Sequence, residues 1–334
     1  MRLKIVGVSL FGVFALVSIY FIKVVVMPGA SYNNGLVALT ESDEAIKSAL
    51  QQHVKQLAVT IGERNQFIKG SLEKSAKYIK SEFSKCSSKV TFETYLSKNS
   101  EVKNVVAMSD KRNKENTKQG VIVIGAHYDS AVDSPGANDN ATGVAALLVL
   151  CNRLKDYSFK HNIHWVAFTN EEPPFFKSNS MGSYVYAKSL HKNKVNVVGM
   201  FSLETMGTYS SEPNSQEYPS PLEKIYPDKA NFIAFVGNIA SETVLKTSID
   251  EFRNTTKFPS EGIIAPATIP GVDWSDHWSF WQFDYPAIMV TDTALYRSPH
   301  YHTPTDTYDK VNFNELAQVV NGLQKVIIKL DQKL

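Results

Sequence analysis

Two adjacent glutamates, Glu171 and Glu172, follow the apolar run 164–168, which is typical of a strand buried on both faces. Pro173 and Pro174 come next and prevent a helix from continuing there. Neighbouring carboxylates disfavour each other's charged form unless a positive charge lies close by. A cation beside the pair would offset this repulsion, and a metal ion is one candidate.

Further acids and imidazoles are placed in the same way along the chain. One apolar run ends in His127, the loop after it contains Asp139, a later apolar run is followed by Glu204, and a late loop contains His300 and His302. Each of these alone has an ordinary explanation as a hydrogen-bonded polar group or a salt-bridge partner. Their joint occurrence at successive strand ends favours a metal site. Two imidazoles and three carboxylates from such a set suit one zinc ion or two that share a carboxylate.

These side chains can meet only if the apolar runs are neighbouring strands. Strand-length apolar runs alternate with amphipathic segments, which predicts an α/β fold, a three-layer αβα sandwich on a mostly parallel central sheet. In such sheets ligands bind outside the carboxyl ends of the strands. The predicted strands are 90–95, 102–108, 121–127, 161–168, 195–203, 232–237 and 286–290. The predicted helices are 42–61, 71–83, 141–154, 182–190, 241–253 and 314–330.

Composition narrows the class of function. The chain has 334 residues, with 35 basic and 33 acidic side chains and a net charge of +2. Since nucleic-acid binding usually shows as a basic stripe, we expect no nucleic-acid partner. Cys86 and Cys151 are the only cysteines, and in an exported protein they could form one disulfide. Cys151 falls late in a predicted apolar helix, which favours a buried free thiol instead.

The first residues differ from the rest of the chain. Residues 5–22 carry no charge and are just long enough to be a membrane-span candidate. Arg2 and Lys4 precede them, which favours an N-terminus kept inside and export of everything that follows. We expect residues 1–35 to be an uncleaved membrane anchor and linker, or alternatively a cleaved export signal of a secreted protein. In both cases the catalytic domain, 36–334, is exported to a periplasmic, extracellular or lumenal space.

Seven short motifs together resemble a known family. They are HYDS, GANDNATG, NEEPP, MGS, SLETMG, SDHWSFW and YHTPTDT, and they occur in the family's order from about residue 50 to the C-terminus. The chain resembles the zinc-dependent M28 peptidases, which include aminopeptidase Y and bacterial leucyl aminopeptidases and are related to glutaminyl cyclases. The resemblance implies the phosphorylase/hydrolase-like zinc exopeptidase fold.

The resemblance also implies a set of zinc ligands. His127, Asp139 and Glu204 would hold one zinc ion, while Glu172 and His302 complete the site of a second. Asp139 would bridge the two ions. Glu204 stands where many relatives have aspartate, and both residues offer an oxygen ligand. The expected cofactor is therefore Zn²⁺, with two ions per chain.

The same resemblance assigns roles to the residues around the ligands. Glu171 would be the general base, which takes a proton from the attacking water and passes it to the leaving amine. Asp129 could accept the second imidazole N–H of His127 and so fix its tautomer. Asp306, four residues after His302, could orient that loop. These two acids would support the ligands without binding the metal.

A few other residues of the motifs have secondary expectations. The peptide bond after Asp139 is often cis in this family. Asp276 and His277 match a family motif and are interpreted as pocket or structural residues, and His300 as a bystander near the site. Three further histidines show no metal spacing and are expected to be structural: His161, His164 and His191.

Three functions remain open at this point. The first is an exported dizinc aminopeptidase that acts on peptides. The second is a glutaminyl cyclase-like enzyme with one zinc ion, and the third is a non-catalytic binding ectodomain. We expect the substrate pocket to be lined by residues 208–230 and 255–281, whose aromatic side chains suggest a preference for apolar or large residues. Arg297 is the nearest candidate to hold a substrate carboxylate, as a carboxypeptidase would require.

Overall fold

Eight strands form one twisted central sheet in the computed structural model, which describes residues 24–109 and 120–334. Along the sheet the order is β1-β2-β4-β3-β5-β8-β6-β7. The strands are β1 (Lys89–Ser97), β2 (Ser100–Met108), β3 (Val121–His127), β4 (Asn162–Phe168), β5 (Val197–Glu204), β6 (Ile233–Gly237), β7 (Ser260–Ile264) and β8 (Ala287–Thr291). Four of the seven neighbouring pairs are parallel, which confirms the mostly parallel sheet.

Helices cover both faces of this sheet. They are α1 (Glu41–Val54), α2 (Ser71–Phe83), α3 (Gly143–Leu154), α4 (Gly182–Lys192), α5 (Glu242–Thr255), α6 (His277–Trp281) and α7 (Phe313–Lys333). Helices α1, α2, α3, α5 and α7 share one hydrophobic cluster with one face of the sheet. Helices α4 and α6 pack on the opposite face in a second cluster. The three-layer αβα sandwich is therefore confirmed.

The central strands are apolar along their whole length because both of their faces are covered. Every residue of β3 is buried. Its side chains alternate between the two cores: Ile122 and Ile124 join the cluster of α3 and α7, while Val121 and Val123 join the cluster of α4. This alternation is the period of two that a pleated strand imposes. It fixes the register of β3 and hence the position of the last residue of the strand.

Element bounds differ from the prediction in two informative places. Thr40 is the N-cap of the first helix. The Asp43 N–H donates to Thr40 Oγ1, and the Thr40 N–H donates back to the Asp43 carboxylate. This reciprocal capping box starts the helix earlier than the predicted Ser42. Strand β7 was not predicted, since a five-residue segment containing Gly262 carries little strand signal of its own.

The expected transmembrane helix is not found, which corrects that expectation. Within residues 24–109 and 120–334, no helix combines the length and the apolar character that a bilayer crossing requires. The longest of the described helices, α7, has one apolar face and one face with lysine, glutamate and glutamine side chains, so it packs on the sheet. Residues 5–22, which suggested the span, lie outside the described residues.

The two cysteines are joined, so the expected free thiol at Cys151 was wrong. Cys86 follows the end of α2, and Cys151 lies in α3, which packs beside it. Their Cα atoms are 5.9 Å apart and the two sulfurs form a disulfide. The helical position of Cys151 correctly indicated burial, but only the packing of α2 against α3 brings its partner within reach.

The disulfide should contribute measurably to stability. It closes a loop across a sequence separation of 65 residues. A cross-link of this length restricts the unfolded chain and should contribute roughly 4 kcal/mol to the free energy of unfolding. We expect chemical denaturation in a reducing agent to show this loss. The variant Cys86→Ser should start at the lower value and be insensitive to the reducing agent, and an unchanged midpoint in the reduced wild type would refute the expectation.

Candidate metal centre

Four of the predicted site residues meet because their strands are neighbours in the sheet. His127 is the last residue of β3, Glu204 is the last residue of β5, and Glu171 and Glu172 follow the end of β4. Strand β3 pairs in parallel with both β4 and β5. The carboxyl ends of the three strands therefore lie at one edge of the sheet, where α/β proteins place their ligands.

Two further predicted residues approach this edge from loops. Asp139 lies in an irregular turn, Ala137–Thr142, directly before α3, and its peptide bond to Asn140 is cis, as the family resemblance implied. His302 lies in the loop between β8 and α7. The turn and the loop both fold over the ends of the central strands. All the predicted ligands consequently come together, although they are spread over more than half of the sequence.

The ligand atoms form two clusters that share one carboxylate. His127 Nε2 lies 3.3 Å from Asp139 Oδ1 and 3.2 Å from Glu204 Oε2. His302 Nε2 lies 3.1 Å from Asp139 Oδ2 and 3.0 Å from Glu172 Oε2. Donor atoms about 2.0–2.1 Å from a tetrahedral zinc ion are about 3.3 Å from one another. The observed spacing therefore fits a metal ion in each cluster, with one oxygen of Asp139 facing each ion.

Unpaired buried atoms support the same conclusion. His127 Nε2, both carboxylate oxygens of Asp139 and Glu172 Oε1 are buried and have no hydrogen-bond partner among the described residues. Buried polar atoms are nearly always paired, so atoms left without partners need an explanation. A cation between them would supply it. The chemistry of the donors, imidazole nitrogen and carboxylate oxygen, is that of zinc sites.

The electrostatics of the site also demand positive charge. Burial raises the pKa of Glu171 well above its ordinary value. Burial likewise raises the pKa of Glu172 to about 8, and the neighbouring charge of Asp139 adds to the effect. Burial would lower the pKa of His302, but the carboxylates of Asp139 and Glu172 beside its ring raise it to about 10. Protons are thus held among these groups when no other cation compensates the carboxylates, and a metal ion would displace them.

Asp129 holds the pair of glutamates through the main chain. Its Oδ1 accepts the N–H of Glu171 at 3.1 Å, and its Oδ2 accepts the N–H of Glu172 at 3.0 Å. It also lies beside His127, whose Nδ1 is 3.2 Å from the Asp129 carbonyl oxygen and 3.5 Å from its carboxylate. The sequence indicated the contact with His127. It gave no indication that this carboxylate anchors both glutamates.

Asp306 anchors the shared ligand in the same manner. Its two carboxylate oxygens accept the N–H groups of Asn138 and Asp139 at 2.8 and 3.0 Å. Its own carbonyl oxygen accepts the N–H of Ala137. We expected Asp306 to orient the loop of His302, on which it lies. Its N–H donates to the Thr303 carbonyl oxygen within that loop, and its other hydrogen bonds join the loop to the turn that carries Asp139.

Arg64 is a supporting residue that the sequence analysis missed. Its side chain is fully buried, and its guanidinium donates hydrogen bonds only to carbonyl oxygens. The acceptors are Leu57, Gly62, Tyr128, Pro135 and Gly136. Three of these belong to the loop between His127 and Asp139. No pattern in the sequence marks a single arginine in a loop as buried, so only the three-dimensional contacts show its role.

The SDHW motif supports the centre through its serine. Ser275 Oγ donates to Glu204 Oε2 at 2.7 Å and shares a second hydrogen bond with the hydroxyl of Ser202. His277 Nε2 lies 2.8 Å from the carbonyl oxygen of Val272, away from the ligand clusters. The other histidines have partners elsewhere: His161 with Asp331, His164 with Tyr186 and His300 with Thr305.

An apolar cavity opens beside the ligands. Glu204 and Tyr301 are among its lining residues, and its other side is open to solvent. Both of the predicted regions, 208–230 and 255–281, contribute to its walls. Large side chains dominate the lining, among them Tyr218, Tyr226, Phe232, Trp274, Met289 and Tyr296. The cavity is therefore shaped to hold an apolar group next to the candidate metal centre.

A model of peptidase family M28 matches residues 104–327, a range that contains all the predicted ligands. The chain belongs to peptidase family M28. Among similar proteins, the uncharacterised protein YfbL of Escherichia coli is 40% identical over 283 residues, and the match covers 82% of this chain and 85% of YfbL. Aminopeptidase YwaD of Bacillus subtilis is 28% identical over 203 residues. That match covers 59% of this chain and only 38% of YwaD.

Solved structures agree on the M28 fold. A zinc aminopeptidase from Bacillus subtilis superimposes with a TM-score of 0.67 at 15% identity, covering 85% of this chain and 95% of the other. A glutaminyl cyclase from Tannerella forsythia superimposes with a TM-score of 0.59 at 19% identity, covering 84% and 97%. At such identities the likeness establishes the fold alone. Membership of the M28 family supports the interpretation that the protein is a hydrolase. The supporting residue Arg64 lies outside the range that the family model matches.

Removing the Arg64 guanidinium should destabilise the protein strongly. Arg64→Met would leave several buried carbonyl oxygens without a donor, which should lower the free energy of unfolding by about 3 kcal/mol. Denaturant unfolding of wild type and variant measures this directly. Arg153→Met is the matched control, because Arg153 is exposed and its loss should cost only about 0.5 kcal/mol or less. Equal effects of the two substitutions would contradict the assigned role.

Proposed function

We propose that this protein is a zinc-dependent aminopeptidase that releases N-terminal residues from peptides. The observation that carries the proposal is the pair of ligand clusters sharing Asp139, with one more carboxylate beside them. That carboxylate belongs to Glu171, whose Oε2 lies 3.9 Å from His127 Nε2 and which is in neither cluster. A buried acid next to the metal ligands, and not needed as a ligand, is what a metallopeptidase requires as its proton carrier.

Each cluster has a distinct set of residues to hold a metal ion. His127, Asp139 and Glu204 would hold one zinc ion, and Asp139, Glu172 and His302 the second. When bound, zinc would polarise the peptide carbonyl and lower the pKa of water at the site. The donor spacing and the unpaired buried atoms support two ions more than one.

Glu171 is suited to the role of general base. Its backbone is held by Asp129, so its side chain starts from a fixed point next to Glu172. Burial raises the pKa of Glu171 well above its ordinary value, which favours uptake of a proton by this carboxylate. In the proposed reaction Glu171 accepts a proton from the attacking water and donates it to the leaving amine.

The surroundings of the site favour action at the N-terminus of a peptide. The apolar cavity beside Glu204 would hold the side chain of the first residue, with preference for large apolar groups. Tyr301 lines the cavity, and burial keeps the pKa of its hydroxyl well above the ordinary value, so it remains a hydrogen-bond donor. Nε and Nη1 of Arg297 donate to Gln216, Thr208 and Phe232, and its Nη2, which has no hydrogen-bond partner among the described residues, is buried away from solvent. That arrangement disfavours a carboxypeptidase.

We also propose that the catalytic domain is exported. The support is the disulfide between Cys86 and Cys151, since such bonds persist mainly in oxidising compartments. Export agrees with the uncharged segment near the N-terminus. The immediate consequence is that the peptides on which the enzyme acts lie outside the reducing cytosol.

Zinc analysis together with product analysis tests the proposed function. Purified protein would be incubated with peptides that carry different N-terminal residues, including glutamine, with and without 1,10-phenanthroline. We expect about two zinc ions per chain, consistent with two ligand clusters, and chelator-sensitive release of the first residue. One zinc ion with cyclisation of N-terminal glutamine would instead establish the glutaminyl cyclase-like alternative. Absence of both zinc and turnover would establish the non-catalytic one.

Substitution of the shared ligand should affect both metal ions. Asp139→Asn removes the negative charge that faces both clusters, so zinc content should fall well below that of the wild type and the melting temperature should drop with it. Atomic absorption and thermal unfolding measure the two effects. Asp309→Asn is the control, because Asp309 is an exposed acid of the same neighbourhood. Full zinc occupancy in Asp139→Asn would disprove the bridging role.

The two adjacent glutamates should respond differently to the same substitution. Glu171→Gln should retain zinc and lose turnover by about a hundredfold to ten-thousandfold, the usual contribution of a general base. Glu172→Gln should instead lose zinc from one cluster. Comparing zinc content and kcat in the pair separates proton transfer from metal binding. Normal kcat in Glu171→Gln, or equal zinc loss in both variants, would refute the assignment.

A further inference from the structure

Strand β7 is the last strand of the sheet and pairs only with β6. Three of the hydrogen-bonding groups on its open side nevertheless have partners. The Ser260 N–H donates to Ser31 Oγ at 3.0 Å, and the Ser260 carbonyl accepts from Arg253 at 2.8 Å. The Gly262 carbonyl accepts from the Tyr226 hydroxyl at 2.9 Å. An exposed strand edge normally leaves such groups without hydrogen-bond partners within the protein, so this edge is partly covered.

Residues 27–31, here named the N-terminal clasp, supply part of this cover. Met27 is only 8% exposed and belongs to the main hydrophobic core. It lies against Gly262 so closely that a Cβ atom at Gly262 would be 3.0 Å from Met27 Cγ, and against Ile249 of α5. Gly262 therefore leaves the space in which the clasp docks.

Arg253 of α5 fastens the clasp to the strand. Its Nη1 donates to the carbonyl oxygens of Pro28 and Gly29 at 3.1 and 3.2 Å. Its Nη2 donates to the Ser260 carbonyl and lies 3.7 Å from Glu261 Oε2. One guanidinium thus holds the clasp and β7 together. Since Arg donates in a fixed planar fork, the geometry between the two segments is fixed as well.

The same strand is a wall of the apolar cavity beside the candidate metal centre. Glu261, Gly262 and Ile263 all line the cavity, as does Tyr226, which donates to Gly262. The clasp therefore contacts β7 on its edge while the substrate cavity uses its face. A strand of five residues with one partner strand has few hydrogen bonds of its own to resist displacement.

We propose that the N-terminal clasp fixes β7 as a wall of the substrate cavity and thereby determines how well the enzyme accepts peptides with large N-terminal side chains. The proposal rests on the proposed aminopeptidase function for its substrate. A large apolar side chain needs a wall at a fixed distance, because its binding depends on close packing along its whole surface. An alanine side chain has much less surface to pack and therefore depends less on that wall. The clasp is thus a specificity determinant that lies outside the matched family range.

A matched pair of substitutions in the full-length chain tests this. Met27→Glu places a charge where the clasp is buried and should release it, whereas Val26→Glu adds the same charge at a side chain that is 54% exposed. Hydrogen exchange at residues 260–264 should become at least about tenfold faster in Met27→Glu only. The ratio of kcat/KM for N-terminal phenylalanine over alanine should fall about tenfold, the scale of a lost pocket contact. Zinc content should not change.

Each outcome decides between the alternatives. Identical exchange and identical selectivity in Met27→Glu and Val26→Glu would overturn the proposal, and so would faster exchange with unchanged selectivity. If Met27→Glu does not fold, Met27→Ala gives the same comparison without a buried charge. If the wild type releases no N-terminal residue, the proposed function fails. The clasp is then judged by hydrogen exchange at residues 260–264, which should become faster only in the Met27 variant. Calorimetric binding of phenylalanine should become weaker only in that variant.

Discussion

Carboxylates are buried together at one edge of the sheet without a lysine or arginine side chain to neutralise them. Among the described residues, no lysine or arginine forms an ion pair with Asp139, Glu171, Glu172 or Glu204. Burying unpaired charge costs several kcal/mol per group, so this end of the fold needs protons or a metal ion to be stable. Ligand binding and folding are consequently linked here, and the sheet edge is the part of the molecule whose stability depends most on its cation.

The fold positions these carboxylates by gripping the main chain. Asp129 and Asp306 accept backbone N–H groups, and Arg64 donates to backbone carbonyl oxygens. Because these supports use peptide groups, the side chains of the ligands remain free to face the centre. The supports are also buried, so their hydrogen bonds do not compete with water. In this way buried hydrogen bonds fix the main chain of the loops that carry the predicted ligands.

The sequence could predict the site to the extent that local rules determine it. Apolar runs reveal the central strands, the parallel arrangement brings their ends together, and the acids and imidazoles at those ends become visible as ligands, as His127 and Glu204 illustrate. Contacts that depend on packing between distant segments leave no local signal. Arg64, the disulfide of Cys86, and β7 are of this kind, because each is defined by a partner remote in the sequence.

The two hydrogen bonds that the Asp129 carboxylate accepts affect how the neighbouring glutamates move. One carboxylate holds two consecutive peptide groups, that of the proposed proton carrier Glu171 and that of the proposed ligand Glu172. A small shift of Asp129 therefore moves both glutamates together, and their position relative to each other stays the same. Breathing of the surrounding loops would then translate the pair as a rigid body. The alignment between proton acceptor and cation becomes insensitive to fluctuations that would ruin it if each glutamate were tethered separately.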